Sequence, residues 1–349
     1  MTASLEGVTE KIMPRPGKPS RRFLAAMVVL LLLLGAAILA AALLGSERLP
    51  PFDAICAMFS GNICGLTAEQ SAILFDIRLP RVFLGVSVGA ALAVAGASYQ
   101  SLLRNPLAEP YLLGVSNGAA IGTMFALVFF STFAFSRPLL AFGGAMLSTM
   151  AVYSIARSRA GMNVERLALA GVIVTTFLSS AIVLITTLLD ATKLRTFTFW
   201  LLGDLSAASK DSLYVALPTV IVGTILLAML ARALNLLQLG ERDAFDFGVE
   251  VKQTRFLVFL VAGALVGTSV AASGSVGYVG LVVPHLVRLS LGSDNRLVLP
   301  ASAIAGAIFV TLADTVARTV IAPRELPVGA ITALIGAPLF IYLLKKQSA

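Results

Sequence analysis

The chain is poor in charge. Only 13% of its 349 residues are Asp, Glu, Lys or Arg, about half the share of an ordinary soluble domain. It has one histidine, one tryptophan and two cysteines. His285 has no second histidine and no carboxylate at ligand spacing, so no metal site is expected and His285 reads as structural. No Gly-x-x-x-x-Gly-Lys-Ser/Thr run is present, which excludes a P-loop. The triplet Asp246-Phe247-Gly248 stands without the glycine-rich and catalytic loops of a kinase. Mid-span ionisable residues are also lacking: Glu109, Glu165, Asp190, Asp204, Asp294, Asp314 and Glu325 all fall near the ends of apolar runs. An ion-coupled carrier keeps a costly charged group near mid-membrane. A carrier acting alone is therefore the weaker alternative, and an intramembrane enzyme lacks paired catalytic residues.

What is there is apolar. Hydrophobic residues make up 58% of the chain, and the mean hydropathy is +0.93. This describes an all-α polytopic membrane protein. Periodicity and length predict ten helices, near 23–44, 80–103, 113–133, 138–157, 166–188, 213–233, 256–273, 277–292, 297–319 and 327–344. The start is basic, with Lys11, Arg15, Lys18, Arg21 and Arg22. With that end inside, most other cations also fall inside, and ten spans put both termini in the cytoplasm. Net charge +8 is then explained by orientation and anionic lipid, with no nucleic acid as partner. Residues 1–20, with Pro14, Pro16 and Gly17, read as a disordered cytoplasmic tail. Residues 21–349 read as one transmembrane domain. The first apolar run, about 22 residues, exceeds a signal-peptide core and predicts a retained span.

Four features carry more specific signals. Cys56 and Cys64 follow the first span on the outer, oxidising side, and their spacing leaves a bridge and two free thiols equally open. Arg78, Arg81, Arg318 and Arg324 are outside cations at helix ends, where snorkelling to the interface is the plain alternative. The cytoplasmic segment 234–254 can form a short helix between Gly240 and Gly248, carrying Phe245 and Phe247 in a charged setting. It suits either an amphipathic helix dipping into lipid or a knob for a partner protein. Gly85 with Gly89, Gly118 with Gly122, and Gly263 with Gly267 predict close helix approach.

Longer strings go further. They are Asn105-Pro-Leu-Ala-Glu-Pro-Tyr-Leu-Leu-Gly-Val-Ser-Asn-Gly-Ala119, Gly277-Tyr-Val-Gly-Leu-Val-Val-Pro-His-Leu-Val-Arg288, and Glu325-Leu-Pro-Val-Gly329 followed by Gly336-Ala-Pro-Leu-Phe-Ile341. With Leu239-Gly-Glu-Arg-Asp-Ala-Phe-Asp-Phe-Gly-Val249, they resemble the FecCD (BtuC-like) permeases of bacterial ABC importers for iron-siderophores, haem or cobalamin. Phe247 departs from the commoner leucine. The resemblance implies a type II importer permease in the bacterial inner membrane, non-catalytic and working by alternating access. It implies a second permease copy (or a close paralogue), two ABC ATPase subunits that bind ATP and Mg, and a periplasmic or lipid-anchored substrate-binding protein. No cofactor is expected on this chain. By the same resemblance Arg78, Arg81 and Arg318 receive acidic residues of the binding protein. Gly240, Asp243, Phe245, Phe247 and Gly248 couple to the ATPase, and Asn105 and Leu107 form a cytoplasmic gate.

Overall fold

Seven helices are long and apolar enough to cross a membrane among the described residues. The computed structural model describes residues 21–347 apart from 46, 61–63, 131–132, 134, 159–160, 163, 207 and 209. The expected tail, 1–20, lies outside the described residues.

The chain opens with α1 (Arg21–Leu43), α2 (Pro51–Ser60) and α3 (Ala68–Ala72), which runs through a π-helical turn (Ile73–Arg78) into α4 (Leu79–Leu103). A 3-10 turn (Pro110–Leu113) leads to α5 (Val115–Phe129) and α6 (Ser136–Ala156). A two-residue antiparallel ladder follows, Arg157 opposite Met162. Next come α7 (Val164–Thr186), α8 (Ala191–Leu201), α9 (Lys210–Met229), α10 (Ala231–Leu239) and α11 (Glu241–Asp246). The chain closes with α12 (Val251–Ser273), α13 (Val279–Leu291), α14 (Asn295–Thr319) and α15 (Val328–Gln347).

Each of the ten expected windows holds an apolar helix. In 113–133, 277–292 and 327–344, however, α5, α13 and the apolar part of α15 fall short of full span length. The second span begins well before Pro80 and runs unbroken from Ala68 to Leu103. Pro80 has no N–H to give Asp76, and it falls where the widened π turn hands over to the α-helix. The window 213–233 breaks at Leu230 into α9 and α10. The window 256–273 begins five residues earlier, so Arg255 lies inside α12.

α4 is the axis of the fold. Of its best apolar window, 83% is buried, and α14, α12, α9 and α13 surround it. Its middle stretch, 85–98, is Ala, Gly, Ser and Val apart from Leu92, which lets backbones come close where lipid supplies no hydrophobic drive. A Cβ on Gly89 would strike the Gly306 carbonyl, and one on Gly96 would strike that of Gly280. The α5–α6 pair is joined in the same way at Gly118 and Gly144. Ser87 and Ser98 bond back to carbonyls four residues earlier on α4, so their hydroxyls are satisfied in an apolar setting.

Candidate transport site

At the Asn105 end, α4 stops without a glycine. Arg104 takes the left-handed conformation (φ 50°). Its N–H donates to the Ser101 carbonyl at 3.3 Å, and the Asn105 N–H donates to the Gln100 carbonyl at 3.1 Å. This is a Schellman stop, with arginine where glycine is usual. Asn105 Oδ1 then accepts from the Leu107 N–H at 2.9 Å, fixing an Asx turn. Asn105, Pro106 and Leu107 are exposed.

The segment 234–254 forms two helices. α10 lies against α4, and α11 follows after Gly240 (φ 155°). α11 ends in a second Schellman stop, with Gly248 at φ 81°, Gly248 N–H to Phe245 O and Val249 N–H to Ala244 O, both 2.9 Å. Ala244 is buried under the helix. Buried Arg255 donates to Glu241 at 2.5 Å and ties α11 to α12. Phe245 and Phe247 are left 71% and 51% exposed. Asp243 is exposed on the same short helix.

The three long sequence strings converge on one stretch of non-helical backbone, 274–278, between α12 and α13. From the first string, Tyr111 Oη donates to the Val276 carbonyl (3.0 Å) and accepts from the Val276 N–H (3.1 Å). Glu109 Oε1 accepts from the N–H of Tyr278, itself at φ 67°. From the third, Gly329 and Gly336 leave no room for a Cβ beside Ser275 and Tyr278. Irregular backbone between membrane helices is tolerated only where protein satisfies it, and these residues do so. The sequence offered no sign of this meeting. Beside the junction lies a cleft of about 360 Å³ lined by Tyr111, Ser116, Asn117, Val172, Thr175, Thr176 and Ser275, none of them charged. His285 lies on α13 with its ring edge-on to Phe340.

The Arg81 end holds the three arginines expected to receive the binding protein. Arg78, Arg81 and Arg318 are 4%, 6% and 6% exposed, so they neither stand on a rim nor snorkel. Arg81 holds both oxygens of Asp314 (2.9–3.1 Å) and reaches Glu325 at 2.8 Å. Arg318 lies 3.8 Å from Asp314 one turn away and donates to the Ala41 carbonyl. Arg78 donates to the carbonyls of Ala42 and Leu43 at 3.1 Å and to that of Glu47. Two arginines from α14 and the π turn thus cap the end of α1. Arg324 is the expected cation that stays exposed. Nearby, Cys56 and Cys64 are joined, with Cα atoms 6.0 Å apart.

The sequence matches the FecCD transport family over residues 30–346. The chain belongs to the FecCD transport family. It is 42% identical to the hemin transport system permease protein HmuU of Yersinia pestis over 79% of this chain and 84% of that one. It is 40% identical to the cobalamin import system permease protein BtuC of Halobacterium salinarum, over 85% and 80%. A solved inward-facing transporter of the metal-chelate ABC type superposes with a TM-score of 0.81 at 31% identity, covering 93% of this chain and 99% of that one. This FecCD chain is an ABC importer permease, a multi-pass protein of the bacterial inner membrane and a transport subunit by family.

Proposed function

We propose that this chain is the permease subunit of an ATP-driven importer whose cargo is a metal chelate, an iron-siderophore, haem or a cobalamin. Two copies, or this chain and a close paralogue, enclose one pathway, two ABC ATPases drive it from the cytoplasm, and a soluble binding protein delivers the cargo. Alternating access follows when ATP-driven closure of the ATPases pushes on α11. The carrying observation is Phe245 exposed on α11 and Phe247 exposed just past its end, on a helix pinned by Gly248 and the Arg255–Glu241 pair. A rigid aromatic knob on a soluble segment is what a partner pocket requires. α7 supports the pairing of two copies. Only 11% of its apolar window is buried within the chain, and Thr175 and Thr176 on it line the uncharged cleft. A bulky chelate passes such hydroxyl and amide groups without strong capture.

Docking of the binding protein at the Arg81 end then needs a partner carboxylate to compete with Asp314 and Glu325, both already held by Arg81. The test is purification from membranes with the neighbouring transport subunits, followed by vesicle uptake of labelled haem, ferric hydroxamate and cyanocobalamin. An ATPase that co-purifies, with ATP-dependent uptake of one of the three, supports the reading. Uptake driven by an ion gradient without an ATPase overturns it.

A further inference from the structure

α10, α13, α14 and the last turn of α4 meet through polar side chains that none of the roles above uses. Asn235 on α10 accepts with Oδ1 from both the backbone N–H (2.8 Å) and the Nδ2 (2.9 Å) of Asn295. Its own Nδ2 donates to Asp294 at 2.6 Å. Asn295, fully buried at the start of α14, accepts on Oδ1 from Ser101 of α4 (2.7 Å) and from Arg288 of α13 (3.1 Å). Arg288 also donates to Ser101 Oγ at 2.7 Å and to the Ala97 carbonyl at 3.0 Å. One residue before Ser101, Gln100 donates to the Leu281 carbonyl at 3.1 Å.

Gln100 and Ser101 have a second task. Their carbonyls accept the two bonds that stop α4 and set the Arg104–Asn105 turn. Their side chains are therefore gripped by α13 and α14 while their backbone fixes the exposed Asn105–Leu107 loop. At the other edge of the cluster, Asn235 stands five residues before Gly240, where α11 begins. We infer that Asn235, Asn295, Arg288 and Ser101 are positioning residues that hand a movement of the α10–α11 segment to the Asn105–Leu107 turn. The inference rests on the functional reading above.

The physical case is one of length and satisfaction. Polar groups buried together are costly to leave unpaired, so such a cluster moves as a unit or exchanges one complete set of bonds for another. An apolar contact between the same helices would slide instead. Asn295 is the hinge of the set, because it alone touches α10, α13 and α4 together.

The test uses the assembled importer in lipid, with Leu107→Cys spin-labelled on each permease copy and the 107–107 distance read by pulsed electron resonance. The two native cysteines are bonded to each other, so the label has one target on this chain, and the partner subunits are used in cysteine-free form. Without further change, trapping with ATP and vanadate shifts the distance. Asn295→Leu and Asn235→Ala are expected to abolish the shift while ATP hydrolysis stays within about twofold. Asn295→Asp keeps the oxygen that Ser101 and Arg288 use and the backbone N–H that donates to Asn235, losing only the Nδ2 bond, and it is expected to keep part of the shift. A shift that survives both Asn295→Leu and Asn235→Ala overturns the inference. If Asn295→Leu fails to assemble, the partly exposed Asn235 decides alone, through the same two readings. A wild-type complex that shows no ATPase and no shift fails the functional reading instead.

Discussion

At the Arg81 end of α4, three arginines are buried, and each has partners within the chain. At the Asn105 end, two phenylalanines stand exposed, one on a helix of six residues and one just past its end. In the sequence these looked like the reverse problem, with cations offered outward and aromatics needing cover. The difference shows how each group type answers to burial. A guanidinium among helices must find carboxylates or carbonyls, or the fold does not tolerate it. An exposed aromatic costs the isolated chain little and gains most when a partner covers it. Within the chain, the Arg81 end satisfies its charges internally, while the Asn105 end leaves two aromatic rings uncovered.

The largest effect should come from breaking the closed end. Arg81→Ala leaves Asp314 buried with only Arg318, at 3.8 Å, and it should cost about 3–5 kcal/mol of stability. Thermal denaturation in detergent should show it as early unfolding and low yield. Normal stability combined with weakened binding-protein affinity would make this end an interface after all and break the comparison.

Phe245→Asp together with Phe247→Asp should act the opposite way. Stability should hold, because neither ring is buried in the chain. ATPase association should weaken by roughly 2 kcal/mol or more, measurable in pull-downs and by loss of uptake. Full association would show that α11 is not the contact.

The bridge should follow in size. Cys56→Ser with Cys64→Ser opens a ring of sequence separation 8, and for a loop that short the chain-entropy account predicts about 2–3 kcal/mol. The loss should appear as faster hydrogen exchange in α2, with uptake retained. Unchanged exchange would mean that the packing of Ala54 and Ala57 holds α2 alone.

The smallest effect belongs to Gly248→Ala. Open space surrounds the site, but φ is +81°, so only backbone strain is expected, about 1 kcal/mol. Gly248→Asn should recover part of it. The readout is ATP hydrolysed per substrate moved, which should rise as α11 loosens. No change would sharpen the comparison, by assigning the rigidity of α11 to the Arg255–Glu241 pair alone.

Much of this protein was written along the chain. Helix placement depends on runs of apolar residues, and a run is local, so each of the ten windows held a helix. The Gly240–Gly248 segment was legible because a left-handed stop and two aromatics between charges need no distant partner to be recognised. Family membership was legible because three strings occur in order. What the sequence could not hold was pairing over distance. Arg81 meets Asp314 across 233 positions, Arg318 reaches back 277 to Ala41, and Ser101 finds Asn295 across 194. Whether an arginine is a docking cation or an internal clamp is set by which carboxylate the folded helices bring to it. The same is true of the two cysteines, whose spacing suited bridge and thiols alike, and of Glu109 and Tyr111, whose partners at 276–278 belong to another motif. The chain determined which segments become helices and where a short aromatic-bearing helix interrupts them. Only the packing of α4 among α12, α13 and α14 decided which charges are satisfied inside, because burial makes a charge depend on its neighbours in space rather than in sequence.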